Sequence, residues 1–309
     1  MQVVLKIGGE RALWWKTHMS SLLPDFIFYL VNEPYNLEEI EYAIVWKPER
    51  GWLKMHPNLK CIISLGSGID HIICDPELPR GIPLIRTTSE DMNIRMREYV
   101  TLHVLRHHRK LSKTEAAQKS QNWDQIIEPP ANQRHIGIMG LGNLGEDCAR
   151  TLASIGFQVS GWAKSKKEIK GVDCFWGNHQ RDVFIKKSEI LVCMLPLTKT
   201  TTGILNSNLF SLLPKAASII NVARGKHLVE KDLLSALDSG QLESATLDVF
   251  SEEPLQKNHP FWDHPKVLVT PHIASLIDPV SGGKSIAANL KKFIAGEYID
   301  DLIPRGRDY

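Results

Sequence analysis

At 309 residues the chain exceeds the length at which one hydrophobic core usually stops growing, so two domains are expected. Apolar residues at 43% and charged residues at 23% exclude a disordered or fibrous chain. A net charge of +2, with Lys and Arg scattered, leaves no basic stripe for nucleic acid or a membrane surface and favours chemistry on a small molecule.

The first residues, Met1-Gln2-Val3-Val4-Leu5-Lys6-Ile7-Gly8, place a charge inside an apolar stretch too short for a signal peptide, and no run approaches membrane-spanning length. The five cysteines, Cys61, Cys74, Cys148, Cys174 and Cys193, are odd in number and contain no C-x-x-C pair, which argues against a disulfide framework or a zinc site. A cytoplasmic protein without a metal is expected.

Short apolar runs at 3–7, 26–30, 43–46, 61–65 and 82–85 alternate with helical segments, the pattern of an α/β unit with a parallel sheet. The stretch 93–121 holds neither Pro nor Gly and predicts one extended helix, which Glu128-Pro129-Pro130 ends. A second series of strands follows at 136–139, 157–162, 190–195, 218–222, 245–249 and 267–270, with helices such as 230–239 between several of them, the order of a doubly wound sheet. A helical tail over 278–297 comes after the last strand and returns to the first domain. The expected division is therefore 1–98 with 275–309, and 99–274.

Between the first strand of the second series and a helical segment at 143–154 lies Gly140-Leu141-Gly142-Asn143-Leu144-Gly145. A G-x-G-x-x-G alone is weak evidence, but the strand before it and the helix after it supply the context a dinucleotide site requires. Gly140 makes the tight turn, Gly142 lets a pyrophosphate approach the backbone, Gly145 packs helix against strand, and the helix N-terminus at Asn143 and Leu144 receives the anion. An NAD site carries Asp or Glu about 20 residues further on, to bond the ribose hydroxyls. Here that place reads Ala163-Lys164-Ser165-Lys166-Lys167, with no carboxylate before Glu168. Three lysines and a hydroxyl suit a ribose 2′-phosphate, so NADP is expected over NAD; a merely solvated loop is the plainer alternative.

Three motifs stand near strand ends: Asn221-Val222-Ala223-Arg224-Gly225, Asp248-Val249-Phe250-Ser251-Glu252-Glu253-Pro254, and Thr270-Pro271-His272-Ile273-Ala274. Ligands of open α/β sheets bind beyond the carboxyl ends of the strands, where Arg224, Glu253 and His272 can converge. With the glycine fingerprint, these motifs resemble those of the D-isomer-specific 2-hydroxyacid dehydrogenases over essentially the whole chain. The lysine-serine strand end, Ala43-Ile44-Val45-Trp46, Leu65-Gly66-Ser67-Gly68-Ile69-Asp70 and Met96-Arg97-Glu98-Tyr99 are most similar to the A-type bacterial glyoxylate/hydroxypyruvate reductases.

The resemblance implies a Rossmann-type sheet inserted in a flavodoxin-like substrate domain, reduction of small 2-keto acids and a homodimer formed through the cofactor domains. It implies His272 as general acid, which an unperturbed imidazole pKa of about 6.5 suits. Glu253 fixes the other ring nitrogen, and the planar fork of Arg224 holds the substrate carboxylate and polarises the carbonyl. Asp248 contacts the nicotinamide carboxamide, while Leu195-Pro196 and Val222-Ala223 border the cofactor. Ser67 and Gly68 expose backbone N–H groups that can form an anion nest, or else make an ordinary tight turn. Trp46 walls the pocket against long substrates or is simply core. Two other functions share the fold: a dinucleotide-sensing regulator, which the intact Arg224, Glu253 and His272 disfavour, and an NAD-linked dehydrogenase of a larger acid, which an acidic strand end would mark.

Overall fold

Strands buried on both faces read as unbroken apolar runs, and the first sheet is built from such strands. The computed structural model describes residues 1–9 and 11–304. Its contacts divide into one unit of Met1–Met92 with the segment from Ile277 onward, and a second of Asn93–Leu276. The divisions expected from the sequence were at 98/99 and 274/275.

In the first unit β1 (Gln2–Lys6), α1 (Ala12–Leu22), β2 (Ile27–Leu30), β3 (Ile40–Val45), β4 (Cys61–Ser64), α2 (Asp70–Ile73) and β5 (Leu84–Ile85) form a parallel sheet of order β2-β1-β3-β4-β5. This is the flavodoxin-like strand order. Val3, Leu5, Ile44 and Ile63 face Trp15 and Met19 of α1 and Ile286 and Leu290 of the C-terminal helix Pro279–Ala295. Val4, Ala43, Val45 and Ile62 pack on the other face with Leu53 and Ile72. The C-terminal helix starts where the Asp278 carboxylate accepts from the backbone N–H of Val280 and Ser281, and it stops at left-handed Gly296.

The second unit holds a seven-stranded parallel sheet. After α3 (Glu90–His108) and α4 (Leu111–Lys119) come β6 (His135–Met139), α5 (Asn143–Ile155), β7 (Gln158–Ala163), β8 (Val172–Trp176), α6 (Gly177–Lys187), β9 (Ile190–Cys193), α7 (Ser207–Leu212), β10 (Ala217–Asn221), α8 (Glu230–Asp238), β11 (Leu242–Leu247) and β12 (Val267–Val269). The order β12-β11-β10-β9-β6-β7-β8 reverses between β6 and β9, a topological switch point with every strand end on one edge.

Two elements correct the sequence reading. Strand β8 was not expected: Val172-Asp173-Cys174-Phe175-Trp176 is an edge strand, paired to β7 alone and partly exposed along its length, so its apolar signal is diluted. The helix expected over 93–121 is two helices, broken where Lys110 takes a left-handed conformation (φ 48°). Arg106 then meets Glu115 at 2.7 Å, whereas an unbroken helix would separate these residues by about 13 Å along its axis. Lys113 pairs with Glu243, and tertiary pairing overrides a local sequence that contains no helix breaker.

Helix α3 also buries imidazoles. Burial, with Arg106 nearby, pushes His103 down to about 4, and burial with His103 and Arg106 pushes His107 down to about 3. The unfolded chain takes up these protons near pH 6.5 and the folded one only near pH 4 and 3. Stability is thus fully present above about pH 6.5 and is lost as pH falls. At pH 4 the loss from His103 alone is expected to reach roughly 3 kcal/mol, read by urea unfolding at pH 7 and pH 4. His103→Leu should flatten that dependence; an unchanged pH dependence in the variant would contradict it. No helix among the described residues is long and apolar enough to cross a membrane.

Candidate active site

The glycine turn lies at the switch point. Gly140 has φ +105°, and a Cβ there would stand 2.6 Å from the carbonyl oxygen of Met194, in the loop after β9. At Gly145 a Cβ would stand 1.8 Å from the Gly140 carbonyl oxygen and 3.6 Å from Ile138, so the third glycine lets the helix close onto the turn itself more than onto the strand. A Cβ at Gly142 would meet nothing within 4 Å. The approach is open there, at the N-cap of the 13-residue helix α5. Asn143 bonds Asn93 at 3.3 Å, and Leu144 packs against the core beneath the sheet. A pyrophosphate fits this cradle: clear approach, a helix N-terminus and no side chain in the way.

Ala163 ends β7, and Lys164, Ser165, Lys166 and Lys167 after it are exposed. Lys166 pairs with Glu168 at 3.0 Å and lies 5.9 Å above the Trp176 ring. Leu195 and Pro196 follow β9, and Thr201 donates to the Pro196 carbonyl at 2.7 Å.

Arg224 follows β10 after the buried pair Val222-Ala223, and its Nη1 donates to the Ala223 carbonyl at 2.7 Å. A Cβ at Gly225 would stand 1.8 Å from the Phe250 carbonyl carbon, so the Arg224 turn is pressed onto the segment that carries Glu253. Glu253 Oε1 accepts from the Phe250 backbone N–H at 3.1 Å, and Oε2 lies 3.0 Å from His272 Nδ1. With Nδ1 engaged, Nε2 is the ring nitrogen left for other chemistry, and the side chain is 34% exposed. Two of the three residues named from the sequence are thus in direct contact, and the third is on the adjoining strand end.

Asp248, fully buried, anchors the His272 turn. Its carboxylate accepts from the Thr270 hydroxyl at 2.6 Å and from the backbone N–H groups of Ile273 and Ala274, both at 2.9 Å. Its own carbonyl accepts from His272 N at 2.9 Å. Burial raises its pKa above the usual carboxylate range, against these hydrogen bonds and the His272 ring, which favour the charged form. His272 itself has φ 54°, a left-handed conformation that these contacts hold in place.

In the first unit, the N–H groups of Gly66, Ser67 and Gly68 have no protein acceptor among the described residues. The loop is shaped by Ser64 Oγ donating to the Gly68 carbonyl at 3.0 Å and Thr87 Oγ1 donating to the Ser64 carbonyl at 2.6 Å. Trp46 covers Gly66, where a Cβ would come within 3.0 Å of its ring, and lies 4.5 Å from His71, ring to ring.

Residues 101–274 match the family described as D-isomer specific 2-hydroxyacid dehydrogenase, NAD binding domain. The chain belongs to this family. Among relatives of this 2-hydroxyacid dehydrogenase, glyoxylate/hydroxypyruvate reductase A of Yersinia enterocolitica is 42% identical over 276 residues, covering 87% of this chain and 88% of the relative. A D-isomer specific 2-hydroxyacid dehydrogenase from Xanthobacter autotrophicus, solved with NADPH and MES, superposes with a TM-score of 0.94 at 36% identity, covering 100% of this chain and 99% of that one. The NADPH-dependent glyoxylate/hydroxypyruvate reductase of Sinorhizobium meliloti, solved with NADP and sulfate, gives a TM-score of 0.94 at 35% identity over the same shares of the two chains.

Sequence reading missed two contributors to this dehydrogenase's site. Buried His227 has Nδ1 3.2 Å from the Arg224 backbone nitrogen and Nε2 3.3 Å from the Pro196 carbonyl oxygen, tying two strand ends together. Its place just after Arg224-Gly225 was the available signal. Tyr99, on α3, contacts Thr270 at 2.6 Å; it closes the Met96-Arg97-Glu98-Tyr99 segment quoted for the resemblance, which gave it no role.

Proposed function

We propose that the chain reduces small 2-keto acids, glyoxylate and hydroxypyruvate, to glycolate and D-glycerate with NADPH. The observation that carries this is the 3.0 Å His272–Glu253 pair, set beside the Arg224 turn on the sheet edge that also bears the glycine turn. NADPH, when bound, supplies the hydride. His272 Nε2 gives its proton to the keto oxygen as negative charge builds there. Glu253 holds Nδ1 and stabilises the imidazolium. Arg224 binds the substrate carboxylate bidentately and polarises the carbonyl.

Gly140, Gly142, Asn143, Leu144 and Gly145 hold the pyrophosphate; Lys164, Ser165 and Lys166, beside Ala163, hold the 2′-phosphate. Leu195, Pro196, Val222 and Ala223 border the cofactor, and Asp248 contributes to the nicotinamide end while anchoring the His272 turn. The unit Asn93–Leu276 serves as dinucleotide-binding domain and the other as substrate domain, where Ser67 and Gly68 take the carboxylate and Trp46 limits substrate length. The working form is a cytoplasmic homodimer. Exposed Ile127 (95%), Ile126 and Leu105 line one surface hollow, an apolar surface that a second copy would cover.

The test is cofactor oxidation by the purified protein with NADPH and a panel of 2-keto acids from glyoxylate upward. Turnover that falls as the chain lengthens is expected. Tight NADPH binding without turnover on any keto acid would instead favour a dinucleotide-sensing regulator.

A further inference from the structure

Helix α3 and strand β11 face one another through polar side chains, an unusual pairing at a buried helix–sheet contact. Tyr99, His103 and His107 recur every four residues on the helix; Ser244, Thr246 and Asp248 recur every two along the strand and its end. Four helical residues rise about 6 Å and two strand residues about 6.6 Å, so the two rows stay in step. His107 fixes the register, with Nδ1 2.8 Å from Ser244 Oγ and Nε2 3.0 Å from Thr246 Oγ1. The Tyr99 ring lies against His103, with centroids 4.2 Å apart. At the end nearest the catalytic histidine, Tyr99 Oη is 2.6 Å from Thr270 Oγ1, and Thr270 Oγ1 donates to Asp248 at 2.6 Å. Because the Thr270 proton is committed to the carboxylate, the Tyr99 hydroxyl must donate to Thr270. Asp248 accepts in turn from the amides of Ile273 and Ala274, the two residues after His272.

We propose that Tyr99 is a positioning residue for the keto-acid reduction, acting through Thr270 and Asp248 to hold the His272 turn. This rests on the function proposed above. The His272 backbone is left-handed, a conformation that a non-glycine residue keeps only when its surroundings over-determine it. The Asp248 carboxylate is the clamp on that turn. The Tyr99 hydroxyl fixes the Thr270 rotamer, and Thr270 fixes the carboxylate.

Tyr99→Phe keeps the ring contact and removes only the hydroxyl. In the full chain, kcat is expected to fall about tenfold, the effect of one such hydrogen bond, with KM for NADPH changed by less than about twofold. Amide hydrogen exchange of Ile273 and Ala274 should quicken about tenfold, while exchange along α3 stays as it was. Thr270→Val breaks the chain at its middle link, so adding Tyr99→Phe to it should cost nothing further. Unchanged exchange at Ile273 and Ala274, or an equal loss from Tyr99→Phe in the Thr270→Val background, would overturn the proposal. If the unaltered protein reduces no keto acid yet exchange at these amides quickens in Tyr99→Phe, the functional reading fails and the positioning chain stands.

Discussion

Replacing His272 with alanine is expected to lower kcat by about three orders of magnitude while NADPH binds about as tightly as before. A carboxylate orients the imidazole, through the 3.0 Å contact of Nδ1 with Glu253. Its removal takes away proton donation, which matters only as charge develops on the keto oxygen, so the loss belongs in kcat and not in cofactor affinity. The turn itself should survive, because Asp248 binds the backbone of residues 272–274 and not the ring. Glu253→Gln should give a smaller loss: the amide still reaches Nδ1 but carries no charge to stabilise the imidazolium. Steady-state kinetics beside NADPH fluorescence titration read both quantities. Turnover like that of the unaltered protein in His272→Ala would remove the histidine from the mechanism.

The second large effect concerns the choice of dinucleotide. Lys164→Asp with Lys166→Ala is expected to lower the ratio of kcat/KM for NADPH to that for NADH by about 10²- to 10³-fold. Each charge-assisted hydrogen bond to the 2′-phosphate is worth roughly 1.5–3 kcal/mol, reduced at this exposed strand end by water and salt. The new carboxylate would repel the phosphate and could bond the ribose hydroxyls of NADH. The loss should be steeper at low ionic strength. Lys164, Ser165 and Lys166 are exposed beyond the last residue of β7, so the double variant should unfold at the same temperature as the unaltered chain. An unchanged ratio would mean that these lysines are only a solvated loop.

What could be read from the sequence divides along physical lines. Most strands of the two sheets were legible because burial on both faces leaves a continuous apolar run, as in Ile190-Leu191-Val192-Cys193. The edge strand β8 was not, since solvent on part of its surface admits Asp173 and breaks the run. The break at Lys110 was invisible because no Gly or Pro marks it; Arg106 and Glu115 pair across it, and the pairing of Lys113 with Glu243 that accompanies it is a long-range fact. Within the site, Glu253 and His272 could be named because each sits in a short motif at a strand end. The clamping of the His272 turn by Asp248 could not, since it depends on which backbone amides face the carboxylate after folding. Tyr99 and His227 lie in or beside quoted motifs, but they work by contact across elements, to Thr270 and to the Pro196 carbonyl, which no local pattern gives.

The reaction itself is tested most directly by following the transferred hydrogen. NADPH deuterated on the transferable face of nicotinamide C4, incubated with glyoxylate and the purified protein, is expected to give glycolate carrying one deuterium on the carbon bearing the new hydroxyl, detected by mass spectrometry. Glycolate formed without deuterium, or no glycolate with NADPH bound, would contradict hydride transfer to a keto acid by this chain.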